Sequence, residues 1–311
     1  MICPQLKVSF LILTYNQIDF VEHALNGAFS QTYSPLEIVI SDDALTDGTR
    51  EKIKEMVAHY SGPHRVKTYF NDDNLGFIDN LTLAIDRCSA DFIVYGPGDD
   101  ISLSDRTEIL ADEFMKSKSL LIHSDAFEID DQGNKKDHIL SKKHKLDNIS
   151  IKEASLLSGL CIGATCAWHK DLMNIFGPIV ERDTYEDLIF YFRAMLLNKV
   201  SYVEKPLIYY RVGNGISQKK GWSNQEARLQ AEQKYCRHRL ATLRQRLRDV
   251  KMVHNAPKDV ISTLDQKIAK YEIISAFLEK REIFPEKSRF SIGYLAAYLS
   301  YIWKIIRIKR G

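Results

Sequence analysis

Apolar positions in the first two thirds of the chain fall into short unbroken runs separated by amphipathic stretches. Lys7 to Leu13, Leu36 to Ile40, Val66 to Phe70 and Phe92 to Tyr95 are runs of strand length rich in β-branched and aromatic residues. Between them, 19–30 places Phe20, Val21, Ala24, Leu25, Ala28 and Phe29 at helical spacing. A second helix ends at His59 with Thr46 or Thr49 as its cap, and 74–89 forms a third. This alternation predicts an α/β fold with a mostly parallel sheet covered on both faces. Right-handed crossovers then narrow the topology to a Rossmann-like arrangement.

Further along, 107–116 reads as a helix and Leu120 to His123 as a strand; Asp130 to Asn134 is a turn, and Lys135 to Lys145 is a polar, lysine-rich mobile loop. An apolar stretch at 151–177 follows, and 201–203 and 207–211 are two closing strands. The pattern changes after Gln218. Helices are predicted over 224–252 and 259–281, and Phe290 to Trp303 is a run of 14 residues without charge, followed by Lys304, Arg307, Lys309 and Arg310.

Charge marks the same division. Residues 1–218 hold 22 Lys and Arg against 32 Asp and Glu, whereas 219–311 hold 21 against 9, so a balance of −10 meets one of +12. The expected organisation is a catalytic domain over 1–218 and a basic helical region over 219–311, with an interfacial membrane segment at 290–311. That segment is too short for a span of ~20 residues, but its Tyr294, Tyr298, Tyr301 and Trp303 suit a membrane interface with anionic lipid, or packing on protein. The arginines of 228–248 have no aromatic interleaving, which argues against nucleic acid as a partner. The five cysteines show no Cys-x-x-Cys spacing; with no secretory pattern at the N-terminus, a reduced cytoplasmic setting is expected, and Cys161 and Cys166 read as buried thiols.

The chemistry sits where strands end. Thr14-Tyr15-Asn16, Ser41-Asp42-Asp43 and Asp99-Asp100 follow three of the apolar runs, which is where an open α/β sheet binds ligands. Glycine-rich phosphate loops are absent, so a nucleotide has to be held by side chains and a hard divalent cation on carboxylates.

Together these segments resemble the family 2 glycosyltransferases of the inverting GT-A type. The resemblance is carried by 8–16, 30–33, 40–49, Asn74-Leu75-Gly76, Gly98-Asp99-Asp100, Tyr185-Glu186-Asp187 and 206–211, in order, across about 7–217. It implies a nucleotide-sugar donor held by Thr14, Tyr15, Asn16, Asp42, Asp43, Asn74 and Gly76. It also implies Mn2+ or Mg2+ on Asp99 and Asp100, Asp187 as general base, and Glu186 and Arg211 as acceptor or phosphate contacts. Asp47 and Gly48 are turn and capping residues. Pro97 stands where many members carry a first Asp, and Gly213 where many carry a His.

The expected function is transfer of a sugar from a nucleotide diphosphate to a hydroxyl of a glycan or lipid-linked acceptor in bacterial surface polysaccharide synthesis. The setting is cytoplasmic, peripheral at the inner membrane face, with a homo-oligomer as a further partner state. The alternatives are a non-catalytic nucleotide-sugar or glycan-binding module and a nucleotidyltransferase.

Overall fold

The computed structural model describes residues 5–44, 47–141, 149–213 and 224–278. Its first half is built on four parallel strands in the order β3-β2-β1-β4: β1 (Val8–Thr14), β2 (Leu36–Asp42), β3 (Arg65–Phe70) and β4 (Phe92–Pro97). Every residue of β1 and β2 is buried, which explains why these runs are continuous rather than alternating. Helices α1 (Val21–Phe29), α2 (Thr49–His59) and α3 (Phe77–Arg87) make the crossovers. Val21, Leu25 and Ala28 of α1 and Ile53 of α2 pack with Phe10, Ile12, Ile38, Ile40, Phe92 and Val94 in one core cluster.

The chain builds outward from β1 to β2 and β3, then returns to the other side of β1 with β4. The gap between the ends of β1 and β4 is therefore the topological switch point, where such sheets bind ligands. Register places Thr14 beside Asp42 and Leu13 beside Pro97, so the three polar clusters end at one level.

Beyond β4 come β5 (Ile101–Ser102), α4 (Arg106–Ser117), β6 (Leu121–Ile129), β7 (Lys135–Leu140), α5 (Ile151–Leu156), β8 (Ala167–His169), α6 (Asp171–Phe176), α7 (Glu186–Leu196) and β9 (Val200–Arg211). They extend the sheet in the order β4-β8-β6-β9-β5. Short β8 runs antiparallel to both β4 and β6, so β6 and β9 point the same way as the first four strands. The predicted α/β, mostly parallel architecture is the one observed.

Several local expectations are corrected. β4 runs on through Gly96 and Pro97, beyond the predicted Phe92 to Tyr95, and a Cβ at Gly96 would come 2.8 Å from the Phe10 ring; the glycine there serves close packing. Residues 135–140 are a strand paired with β6, while 142–148 lie outside the described residues. The two closing strands are one 12-residue strand whose ladder with β6 is irregular at Asp125 opposite Pro206, the residue without an N–H to donate. Thr49 is the first residue of α2 and not its cap. Gly48 takes that position at φ 95°, and Asp47 Oδ1 accepts from Thr49 N at 3.0 Å; Thr46 lies outside the described residues.

Residues 1–218 and 219–311 form two compact units. In the second, α8 (Gln225–Met252) is capped by Asn224, whose Oδ1 accepts from Ala227 N at 2.8 Å, and it pairs with α9 (Lys258–Leu278). Cys236, Ile274 and Leu278 pack with Tyr271, and Arg244 meets Glu272 at 2.8 Å. Among the described residues no helix is long and apolar enough to cross a membrane. The segment 290–311 lies outside them.

Candidate active site

The donor side of the site grows out of the ends of β1 and β2. Thr14 is buried, its Oγ1 has no partner among the described residues, and its carbonyl accepts from Asp43 N at 3.2 Å. The chain then turns outward. Tyr15 is 50% exposed, and exposed Asn16 adopts left-handed backbone at φ 49°. This loop is pinned from below, because Thr49 Oγ1 accepts from Gln17 N at 3.0 Å and Asp47 Oδ2 from Ile18 N at 3.1 Å. Tyr15 thus presents a ring face on a fixed loop.

Asp42 and Asp43 are both engaged within the fold. Asp42 is fully buried; its Oδ2 accepts from Arg50 Nε at 2.9 Å, and its Oδ1 has no partner among the described residues. Asp43 Oδ1 accepts from Asn71 Nδ2 at 3.1 Å and Leu75 N at 2.9 Å, while Oδ2 accepts from Gly76 N at 2.9 Å. Its carboxylate fastens the loop before α3. Asn74 joins in through Oδ1 on Gly76 N at 2.8 Å, and Gly76 needs φ 82°, which favours glycine. Asn74 and Gly76 are exposed beside the two carboxylates.

The second half of the site is carboxylate-rich. Asp99 is half-buried and Asp100 buried at the end of β4, where Gly98 N donates to Leu13 O at 3.0 Å. Burial raises the Asp99 carboxyl; burial and then the Asp99 charge raise Asp100 well above the ordinary carboxylate range. Glu186 and Asp187 open α7. Glu186 is buried, and burial followed by the neighbouring Asp187 charge pushes it up to about 8, so it holds a proton at neutral pH. Asp187 is the more exposed of the two, and its Oδ1 accepts from Leu188 N at 2.8 Å.

Tyr95 feels both of these pairs. It is 5% exposed in β4, and its phenol is pushed well above its ordinary value by burial and then by Glu186, Asp99, Asp100 and Asp187 together. The charges of four carboxyl groups from distant segments thus act on a single buried phenol, whose ring packs 5.3 Å from that of Trp168. Nothing in the sequence marks Tyr95, which reads there as one more apolar strand residue.

Arg211 is placed as a brace. Its backbone N donates to Asp100 Oδ1 at 2.8 Å, its Nε to Asp99 O at 2.9 Å, and its Nη1 to the carbonyls of Asp130 and Asp131 at 2.7 and 2.9 Å. The guanidinium lies 4.4 Å from the Phe20 ring centre, and Nη2 lacks a partner among the described residues. Most of its donors are thus spent on backbone rather than offered to a phosphate. At Gly213 the space a Cβ would need is filled by the Asp131 carboxylate.

A metal fits this arrangement in one specific way. Among the described residues no group of three or more His, Cys, Asp and Glu gathers to make a closed cage. Asp99 and Asp100 supply two adjacent carboxylates that burial makes costly to ionise without a cation. Two carboxylates completed by water and substrate phosphate is the ordinary coordination of Mg2+. The donor set suits a cation that arrives with a diphosphate. Cys161 and Cys166 are buried with sulfurs 3.4 Å apart, and His169 Nδ1 is 3.3 Å from Asp171.

Comparison with known proteins agrees with this geometry. The family model described as glycosyl transferase family 2 matches residues 9–172. An uncharacterized glycosyltransferase of Nostoc sp. is 24% identical over 235 residues, covering 73% of this chain and 72% of that protein. The putative glycosyltransferase EpsE of Bacillus subtilis is 33% identical over 102 residues, 33% of this chain and 36% of that one. The chondroitin synthase of Escherichia coli is 31% identical over 128 residues, or 41% of this chain, and the match spans only 18% of the synthase. Among solved structures, TarS of S. aureus in complex with UDP-GlcNAc has a TM-score of 0.59 at 16% identity, covering 97% of this chain and 81% of that one. The mannosyltransferase PcManGT of Pyrobaculum calidifontis, solved with GDP-Man and Mn2+, has a TM-score of 0.56 at 12% identity, with 96% and 80% covered. The family match runs from β1 into α6 and takes in more than half of the chain, and on that ground the protein belongs to glycosyl transferase family 2 and is a glycosyltransferase of GT-A fold.

Proposed function

We propose that residues 1–218 transfer a sugar, with inversion, from a nucleotide diphosphate to a hydroxyl of a glycan or lipid-linked acceptor in bacterial surface polysaccharide synthesis. The observation that carries this reading is that Asp99 and Asp100 at the end of β4, and Glu186 and Asp187 against the 163–165 turn that Arg106 joins to β4, all act by charge on the buried Tyr95. Tyr15 offers its exposed ring to the base, with Thr14, Asn16, Asn74 and Gly76 around it, and Asp42 and Asp43 hold that wall in place. Asp99 and Asp100 would hold Mn2+ or Mg2+, which supplies charge neutralisation on the diphosphate. Asp187 takes the proton of the attacking hydroxyl; Glu186 beside it stays protonated and contacts the acceptor. The basic region over 219–311 and its apolar run at 290–311 favour attachment to the cytoplasmic face of an anionic membrane.

The test is hydrolysis of a panel of UDP-, GDP- and dTDP-sugars with and without Mn2+, followed as free sugar and nucleoside diphosphate. Asp187→Asn is expected to lower turnover at least ~100-fold while nucleotide affinity stays within about twofold of wild type. Near-normal turnover in that variant would remove Asp187 from the chemistry. Consumption of added inorganic diphosphate, with formation of nucleoside triphosphate and sugar 1-phosphate, would instead indicate nucleotidyl transfer, and binding without turnover a binding module.

A further inference from the structure

Arg106 is the first residue of α4, and it breaks two local rules. A cation in the first turn opposes the helix dipole, and a fully buried guanidinium is expensive to desolvate. Its Nε has no hydrogen-bond partner among the described residues. A residue held against such local penalties is fixed by what it connects.

Its contacts identify what that is. Nη1 donates to Ser102 Oγ at 2.7 Å in β5, two residues beyond Asp100. Nη2 donates to Tyr95 O at 2.7 Å in β4 and to Ala164 O at 2.7 Å, with Cys166 O at 3.4 Å. The carbonyls of 164 and 166 belong to the 3-10 turn Gly163–Thr165 and the residue after it. That turn lies against α7: a Cβ on Gly163 would stand 2.8 Å from Glu186 Oε1 and 3.3 Å from Asp187 Cβ. One planar fork therefore ties the strand end bearing Asp99 and Asp100 to the turn on which Glu186 and Asp187 rest.

We propose that Arg106 is a positioning residue that sets the separation between the donor-phosphate end of the site and the base that activates the acceptor. This role rests on those assigned above to Asp99, Asp100 and Asp187. An inverting displacement needs the attacking oxygen in line with the leaving phosphate, so an error of about 1 Å between the two halves lowers turnover without loosening either half's own ligand. Charge and fork are separable here: lysine keeps the positive charge beside Asp100 but cannot span Ser102, Tyr95 and Ala164 with planar donors.

Two substitutions test this through different atoms. Arg106→Lys removes the fork; Gly163→Ala leaves Arg106 intact and presses the turn against Glu186 and Asp187. On the panel sugar nucleotide that the wild type hydrolyses with Mn2+, both are expected to lower kcat at least ~10-fold, with donor KM and the affinity for UDP with Mn2+ within about twofold. Hydrogen exchange, which needs no substrate, is expected to rise in 161–166 and 184–190 of Arg106→Lys and to stay unchanged in 8–14 and 36–42. Unchanged kcat in both variants, parallel losses in kcat and donor affinity, or unaltered exchange in 161–166 would overturn the proposal. Asp187→Asn separates the two levels of inference. If it abolishes turnover while both positioning variants keep it, only the role of Arg106 fails; if it keeps turnover, the assignment of the base fails instead.

Discussion

Glu186→Gln reports directly on the environment that makes the Glu186 and Asp187 pair useful. In the folded protein burial and the Asp187 charge hold the Glu186 carboxyl at about 8, against 4.5 for an ordinary glutamate. The folded state therefore binds a proton more tightly than the unfolded chain. The stabilisation this gives is fully present below about pH 4.5 and is lost as pH rises through about 8. A tenfold difference in proton affinity between the two states is worth about 1.4 kcal/mol, so ionising Glu186 in place costs on the order of 3–5 kcal/mol. Glutamine matches the protonated side chain in shape and cannot ionise. Urea denaturation at pH 5, 7 and 9 should place the variant within about 1 kcal/mol of wild type at pH 5 and above it by about 3–5 kcal/mol at pH 9. Groups remote from Glu186 titrate equally in both proteins and cancel in the difference. A stability difference that does not change between pH 5 and pH 9 would refute the buried, protonated Glu186 and with it the division of labour between the two carboxyl groups.

Asp100→Ala, and less severely Asp99→Ala, should abolish the Mn2+-dependent part of the thermal shift produced by UDP while the free protein stays folded, its melting temperature lowered in Asp100→Ala by the loss of the acceptor for Arg211 N; a shift that survives in both variants, or in the presence of a chelator, would assign the phosphate to cationic side chains. Gly76→Ala introduces a Cβ that meets nothing within 4 Å, so its effect is backbone strain alone at φ 82°, about 1–3 kcal/mol of stability by thermal melting, and an unchanged melting temperature would show that the loop relaxes freely. Deletion of 290–311 should release the protein from anionic vesicles that the full chain binds in a salt-sensitive manner, with sugar-nucleotide hydrolysis retained; aggregation or loss of an oligomer on deletion would make that run a packing element.

The architecture of the first unit is legible in the chain because its signals are local and repeated. Continuous apolar runs arise only when both faces of a strand are covered, and β1, β2 and β4 are buried almost throughout. The polar clusters at 14–16, 42–43 and 99–100 were legible for the same reason, since they interrupt those runs at one level of the sheet. The polar stretch 135–140 misled because a strand with an exposed face carries little apolar signal, and its pairing with β6 is set by a partner rather than by its own composition.

Which polar atoms are spent on the fold emerges only from contacts between distant segments. Asp42, Asp43 and Arg211 have the residue types of ligand contacts, and Arg50, the 71–76 loop and the carbonyls of Asp99, Asp130 and Asp131 take up most of their polar atoms, leaving Asp42 Oδ1 and Arg211 Nη2 without a partner among the described residues. Hydrogen-bond partners far apart in the chain leave no periodic trace. Tyr95 and Arg106 were silent in turn because their importance lies in joining segments: one feels the charge of four carboxyl groups and the other links a strand end to a turn about 60 residues away. The signal in Arg106 was a cation at a helix start, and only its burial gives that signal meaning.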